Sequence, residues 1–199
     1  MIIAAGLSPA WQQILLFDRF TPGEVNRASE SHWCASGKVL NVGLGLHSLG
    51  AESLTISPTG GPGGEMIERE FRDRGAPLAA IRSTHATRVC TTILDRATRV
   101  TTELVEAAPP LSPAELAEFT TRFATAAPQA SALVLTGSLP AGTPPTFYRD
   151  LLRAAPAVPA ILDARGPELL AALDCRPLVV KPNREELGMT FGREIKGDA

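Results

Sequence analysis

The chain has 199 residues, 44% of them hydrophobic and 20% charged, with a formal net charge of −2; that is enough apolar material for one core with a small appendage. A near-neutral chain without a Lys/Arg cluster carries no electrostatic footprint for a nucleic-acid partner. The Met1–Gly6 start has no basic leader, no apolar run reaches the ~18 residues of a membrane span, and the three cysteines Cys34, Cys90 and Cys175 lack metal-ligand spacing, so a cytoplasmic protein with reduced thiols is expected.

In chain order, Met1 to Leu7 is an apolar run ending in Ser8-Pro9, expected as a buried strand. Gln13 to Phe17 and Ala28 to Cys34 are expected as half-exposed strands. The second alternates Ser29, Ser31, Trp33 with Glu30, His32, Cys34, the pattern of a sheet with one wet face. Lys38 to Leu49 is helical and stops at Gly50; its internal Gly43 and Gly45 imply close packing against a neighbour. A strand over Glu52–Ser57 and a helix over Gly64–Arg74, closed by Gly75, come next. Arg88–Asp95 and Thr101–Glu106 read as a hairpin.

The remainder alternates helix and strand. Helices are expected over Ser112–Ala126 (opened by the capping box Ser112-Pro113-Ala114-Glu115), Pro144–Ala155 and Pro167–Leu173. Strands are expected over Ala132–Thr136, Ala160–Asp163 and Leu178–Lys181. Such a series predicts a doubly wound α/β domain, a mainly parallel sheet with helices on both faces. The appendage, a small β-sheet, comes from segments 12–35 and 88–106 inserted in a single domain spanning 1–199. Ligands of such sheets sit outside the carboxyl ends of the strands.

Four segments lie at such ends. In Ala35-Ser36-Gly37-Lys38-Val39-Leu40-Asn41, Gly37 permits close backbone approach at a helix start, with Asn41 on the first turn. A plain strand-to-helix turn explains it equally. Thr136-Gly137-Ser138-Leu139-Pro140 offers a hydroxyl in a glycine-flanked turn, or a simple connection. Arg88 opens the hairpin and has the fork geometry for a phosphate, or for a solvated edge. In Lys181-Pro182-Asn183-Arg184-Glu185-Glu186, capping accounts for Asn183 and Glu186, yet a Lys, an amide and a carboxylate also meet where metal-bound phosphates could sit.

Taken in order, these segments resemble the PfkB (ribokinase-like) carbohydrate kinases, and most closely the branch holding 1-phosphofructokinase and tagatose-6-phosphate kinase. The matching text is Phe20-Thr21-Pro22-Gly23-Glu24-Val25-Asn26-Arg27, Ala35-Ser36-Gly37-Lys38 with Asn41-Val42, Gly60-Gly61 with Gly64-Glu65, Thr102-Glu103-Leu104-Val105-Glu106, Gly137-Ser138-Leu139-Pro140, and Lys181-Pro182-Asn183 with Glu186-Leu187. The resemblance implies a kinase that uses ATP and magnesium to phosphorylate a sugar phosphate such as fructose 1-phosphate, fructose 6-phosphate or tagatose 6-phosphate. It implies that Gly37, Lys38 and Asn41 hold sugar hydroxyls and that Arg27, Arg88 and Ser138 bind the existing phosphate. Asn183 and Glu186 would order magnesium, with Lys181 near the nucleotide phosphates. The small sheet would be a lid, which in such kinases often pairs with a second subunit as a homodimer.

Three departures stand out. The family's Asn-Pro-Ala-x-Asp reads Ser8-Pro9-Ala10-Trp11-Gln12, replacing an acid that grips sugar hydroxyls by Gln12. Val39 stands where the family has a glycine. The Gly-Ala-Gly-Asp run that carries the family's general base is not found in these residues; Gly197-Asp198-Ala199 is not read as a substitute. The expectation is therefore a C-terminally truncated chain that lacks the nucleotide-binding part and is inactive, its sheet left with an uncovered apolar edge. The alternative is a non-catalytic sugar-phosphate-binding or regulatory module.

Overall fold

The computed structural model describes residues 1–195, so Gly197-Asp198-Ala199 lies outside the described residues. Its main sheet is parallel throughout, six strands in the order β10-β9-β8-β1-β4-β5. The central strands are β1 (Ile2–Ala5), β4 (Ser53–Thr59) and β8 (Ala132–Thr136); β5 (Leu78–Arg82), β9 (Ala160–Asp163) and β10 (Val179–Val180) complete it. Parallel strands must be linked by crossovers, and helices supply them: α1 (Lys38–Ser48), α2 (Gly61–Arg74), α3 (Pro113–Ala126), α4 (Phe147–Ala154) and α5 (Gly166–Ala172); α6 (Arg184–Phe191) follows β10.

Two apolar layers cover this sheet. Ile3, Ala5, Leu7, Ile56, Leu133 and Leu135 pack with Phe119, Phe123, Phe147 and Tyr148 of α3 and α4. Across the sheet, Ala4 packs with Val39 and Leu40 of α1 and Ile67 and Phe71 of α2. Each fully buried large side chain stabilises by roughly 1.5–3 kcal/mol. Gly43 of α1 lies directly on Thr55 of β4, and an added Cβ would collide with the Thr55 hydroxyl. Gly45, by contrast, has open space beside it, so the close packing expected of both glycines applies to one.

A second sheet, ordered β3-β2-β6-β7, joins β2 (Ala10–Phe17) and β3 (Glu30–Ser36) to the hairpin β6 (Val89–Asp95) and β7 (Val100–Val105). Here the single wet face expected of Ser29–Cys34 does not appear: Glu30 to Trp33 are all exposed, as is every residue of β7. Alternation loses its meaning when no helix layer covers either face at the far end of the strands.

Elements and their limits also differ. Strand β5, with Leu78–Ala80 half-buried, Ile81 buried and Arg82 exposed, was not anticipated although its first four residues are apolar. Helix α4 begins at Phe147 rather than Pro144, because Thr143 to Thr146 form turns closed by the carbonyls of Pro140 and Pro144. β10 shortens to two residues and bonds only to β9, and Leu178, Val179 and Val180 are 71%, 45% and 40% exposed. No helix among the described residues is long and apolar enough to cross a membrane.

Candidate active site

A cleft of about 390 Å³ opens where the carboxyl ends of β1, β8 and β9 face the second sheet. Ser8, Gly137 and Ser138, the stretch Asp163–Arg165, and Glu168 line it from the main sheet's loops and α5. Lys38 comes from the start of α1 and Glu186 from α6; Arg88, Glu103 and Val105 come from the second sheet. Four carboxylates thus share the cleft with three cations, a mixture suited to a metal-bound anion rather than to an anion alone.

Each wall is fixed by its own local chemistry. Gly137 adopts a φ of 102°, open only to glycine at low cost, so the chain can turn sharply off β8. Its N–H donates to the Asp163 carbonyl at 3.2 Å, and the buried Tyr148 hydroxyl donates to its own carbonyl at 2.7 Å. Burial, reinforced by the negative charges of Glu168 and Asp163, pushes that phenol's pKa well up, so it remains a donor. The Ser8 hydroxyl donates to the Ser138 carbonyl, which leaves the exposed Ser138 side chain turned to the cleft.

Lys38 ties the main-sheet side of the cleft together. Its Nζ lies 3.2 Å from Asp163 Oδ1 and 3.5 Å from Glu186 Oε1. Thr136 Oγ1 donates to the other Asp163 oxygen at 3.0 Å, and Lys181 Nζ approaches Oδ1 at 3.9 Å. Glu186 and Asn183 form a reciprocal capping box at the start of α6. The Asn183 N–H holds the Glu186 carboxyl below its ordinary pKa; burial opposes this, and the charges of Lys38 and Arg165 add to the lowering.

The expected residues therefore divide. Lys38, Arg88, Ser138 and Glu186 meet in the cleft. Gly37, at φ 91°, caps α1 against the backbone of Ser8 and Pro9, where an added Cβ would crowd the Ser8 carbonyl. Asn183 reaches the site through the capping box and Lys181 through Asp163. Gln12 lies within the second sheet, its Nε2 donating to Thr92 Oγ1 at 2.6 Å, and does not line the cleft. Arg27 and Asn41 are exposed and outside the lining. Val39 is buried against Ala4 and Leu40, so its side chain does not narrow the cleft.

Arg88 has a structural duty as well. Its guanidinium donates to the carbonyls of Pro9, Glu106 and Ser8, at 3.2, 3.0 and 3.2 Å. It thereby ties the second sheet to the loop after β1, with donor capacity remaining for a ligand. Asp163, Ser8, Glu103, Arg165 and Glu168 escaped the reading of the sequence. Asp163 was within reach, as the last residue of an apolar strand at the carboxyl edge.

Among the described residues no group of three or more His, Cys, Asp or Glu side chains could hold a metal ion by itself. Magnesium needs no such cage: one or two carboxylates plus phosphate oxygens and waters suffice. Asp163 and Glu186, bridged by one ammonium, fit that requirement.

The whole chain is 30% identical to the tagatose-6-phosphate kinase of Staphylococcus epidermidis and spans 64% of that protein's length. Over 99% of the chain it superposes, with a TM-score of 0.88 and 25% identity, on 66% of Escherichia coli phosphofructokinase-2 in complex with fructose-6-phosphate. A possible 1-phosphofructokinase from Thermotoga maritima shares the fold, with a TM-score of 0.86 over 94% of this chain and 62% of that one. The pfkB family carbohydrate kinase pattern matches residues 11–199. On that match, and on the order of its strands and site segments, the chain belongs to the pfkB family of carbohydrate kinases.

Proposed function

We propose that the cleft binds a hexose phosphate beneath the second sheet, and that this chain forms the substrate half of a sugar-phosphate kinase. One observation carries the reading: Lys38 joins Asp163 and Glu186 in the same cleft that holds Arg88 and Ser138. An anion-binding pair and a carboxylate pair in one cleft are what a kinase needs for a phosphorylated acceptor and a metal–nucleotide donor. The similarity to a tagatose-6-phosphate kinase and to a phosphofructokinase-2 supports the acceptor class.

Arg88 and the Ser138 hydroxyl receive the phosphate already on the sugar. Lys38 stands between acceptor and donor, orienting a sugar hydroxyl and offsetting charge. Asp163 and Glu186 would hold magnesium, directly or through water, and Lys181 would face the nucleotide phosphates. ATP would supply the γ-phosphoryl group: a bond forms from a sugar hydroxyl oxygen to its phosphorus, the bond to ADP breaks, and the hydroxyl proton passes to a general base. Positioning and charge neutralisation dominate such a transfer. In the family that base is the aspartate of Gly-Ala-Gly-Asp, and the 199 residues contain no such run; by themselves they bind without turning over. The second sheet acts as the lid, and its exposed Trp33, Val100 and Leu104 offer apolar surface to a second copy of the chain.

Calorimetric titration with fructose 1-phosphate, fructose 6-phosphate and tagatose 6-phosphate, beside an ATP-consumption assay with magnesium, tests the reading. Heat with at least one sugar phosphate and no ATP consumption is expected. Absence of heat with all three overturns the binding role, and turnover overturns the assignment of the base.

A further inference from the structure

The three cations of the cleft are held in different ways. Lys38 is paired to two carboxylates, and Arg88 donates to three backbone carbonyls. Arg165 lines the same cleft, yet its exposed guanidinium makes no hydrogen bond or ion pair among the described residues. Its backbone is fixed all the same. The N–H of Gly166 donates to Thr190 Oγ1 at 2.8 Å, and that buried hydroxyl donates to the Glu186 carbonyl at 2.6 Å. Arg165 is thus mounted on the turn that also carries Asp163 and is tied to the helix that carries Glu186. It follows Asp163 by two residues, so it lines the cleft beside the Asp163 and Glu186 carboxylates.

A planar cation on a fixed backbone, lining a cleft with no hydrogen bond or ion pair among the described residues, is arranged to receive an oxyanion in two parallel hydrogen bonds. The position for a sugar's existing phosphate already has Arg88 and Ser138. We propose that Arg165 binds the phosphoryl group that the reaction adds to the sugar, so that the cleft has two anion positions and recognises a hexose bisphosphate as well as a monophosphate. This inference rests on the proposed function and extends it to the product. Lys38, Asp163 and Glu186 lie beside the second position, and magnesium there would screen the two carboxylates from the incoming charge.

Calorimetric titration of the 199-residue chain with fructose 6-phosphate and with fructose 1,6-bisphosphate, magnesium present, separates the possibilities. The bisphosphate is expected to bind about tenfold more tightly, the worth of one charge-assisted contact. Arg165→Gln should bring the two ligands to parity with monophosphate affinity unchanged, and Arg165→Lys should restore part of the difference. A bisphosphate preference that persists undiminished in Arg165→Gln, or that is absent from the unaltered chain, overturns the role of Arg165 alone. Failure of both ligands to bind overturns the proposed function, and this inference with it.

Discussion

The two sheets of this protein are stabilised in opposite ways. Strands β1, β4 and β8 lie between helix layers, with Ile3, Ile56, Leu133 and Leu135 all at 0% exposure. The second sheet has little cover: Val100, Leu104 and Val105 of β7 are more than half exposed. Its near end joins the body through Ala35 and Trp11, packed with the α1 and α2 layer, and through polar ties of the Arg88 guanidinium and of Glu70 Oε2, which accepts the Ala35 N–H at 2.6 Å. A sheet packed on both faces resists deformation, whereas a sheet attached at one end can shift as a unit. The cleft lies between the two, so one wall is rigid and the other is adjustable.

Several substitutions would break or sharpen that contrast. The largest effect belongs to the packed side: Phe123→Ala, at a fully buried position of α3, should cost about 3–5 kcal/mol in urea unfolding. Arg88→Ala, at the joint between the sheets, should cost about 2 kcal/mol, because three backbone carbonyls lose a charged donor. Hydrogen exchange in that variant should rise in β6 and β7 but not in β1 or β8, and hexose phosphate affinity should fall. Equal loosening of both sheets would show that they are a single cooperative unit.

Glu115 gives an intermediate effect with a pH signature. Burial alone would raise its pKa, but the N–H groups of Thr84 and Ser112 and their hydroxyls overcome burial and hold it below its ordinary value near 4.5. A carboxyl lowered in the folded state contributes stability above its unfolded pKa and loses it as the pH falls through the folded one. Glu115→Gln should therefore cost about 1 kcal/mol at neutral pH. Its deficit against the unaltered chain should shrink in acid, as seen by thermal unfolding from pH 7 to below pH 4. A deficit independent of pH would show that the carboxylate charge is not what stabilises this cap.

The smallest effect is expected on the open side. Val105→Ala, 61% exposed, should change stability by no more than about 0.5 kcal/mol. A loss several times larger that grows with protein concentration would show that β7 is covered in solution by a second copy.

The same contrast explains what the sequence made legible. Apolar runs such as Ala132–Thr136 and Ala160–Asp163 mark strands of the packed sheet because burial on both faces leaves few polar positions in them. The capping boxes at Ser112 and Asn183 fixed the starts of α3 and α6, since that chemistry is local. β5 and the uncovered face of β3 were not legible, because what lies above a strand is set by distant residues. At the site, Lys38, Arg88, Ser138 and Glu186 followed from the order of short segments. Gln12 did not, because its partner is Thr92, far along the chain, and no local pattern encodes that bond. Arg165 was missed because it sits on a turn with no side-chain partner to signal it.

The central claim is that the cleft between the two sheets is the sugar-phosphate site, and hydrogen exchange with and without saturating fructose 6-phosphate tests it most directly. The account predicts added protection at Gly137–Ser138, in the Asp163–Gly166 turn and in the strands following Arg88, with the buried centre of the main sheet unchanged. Unaltered exchange in all three segments under conditions where the ligand is bound would contradict it.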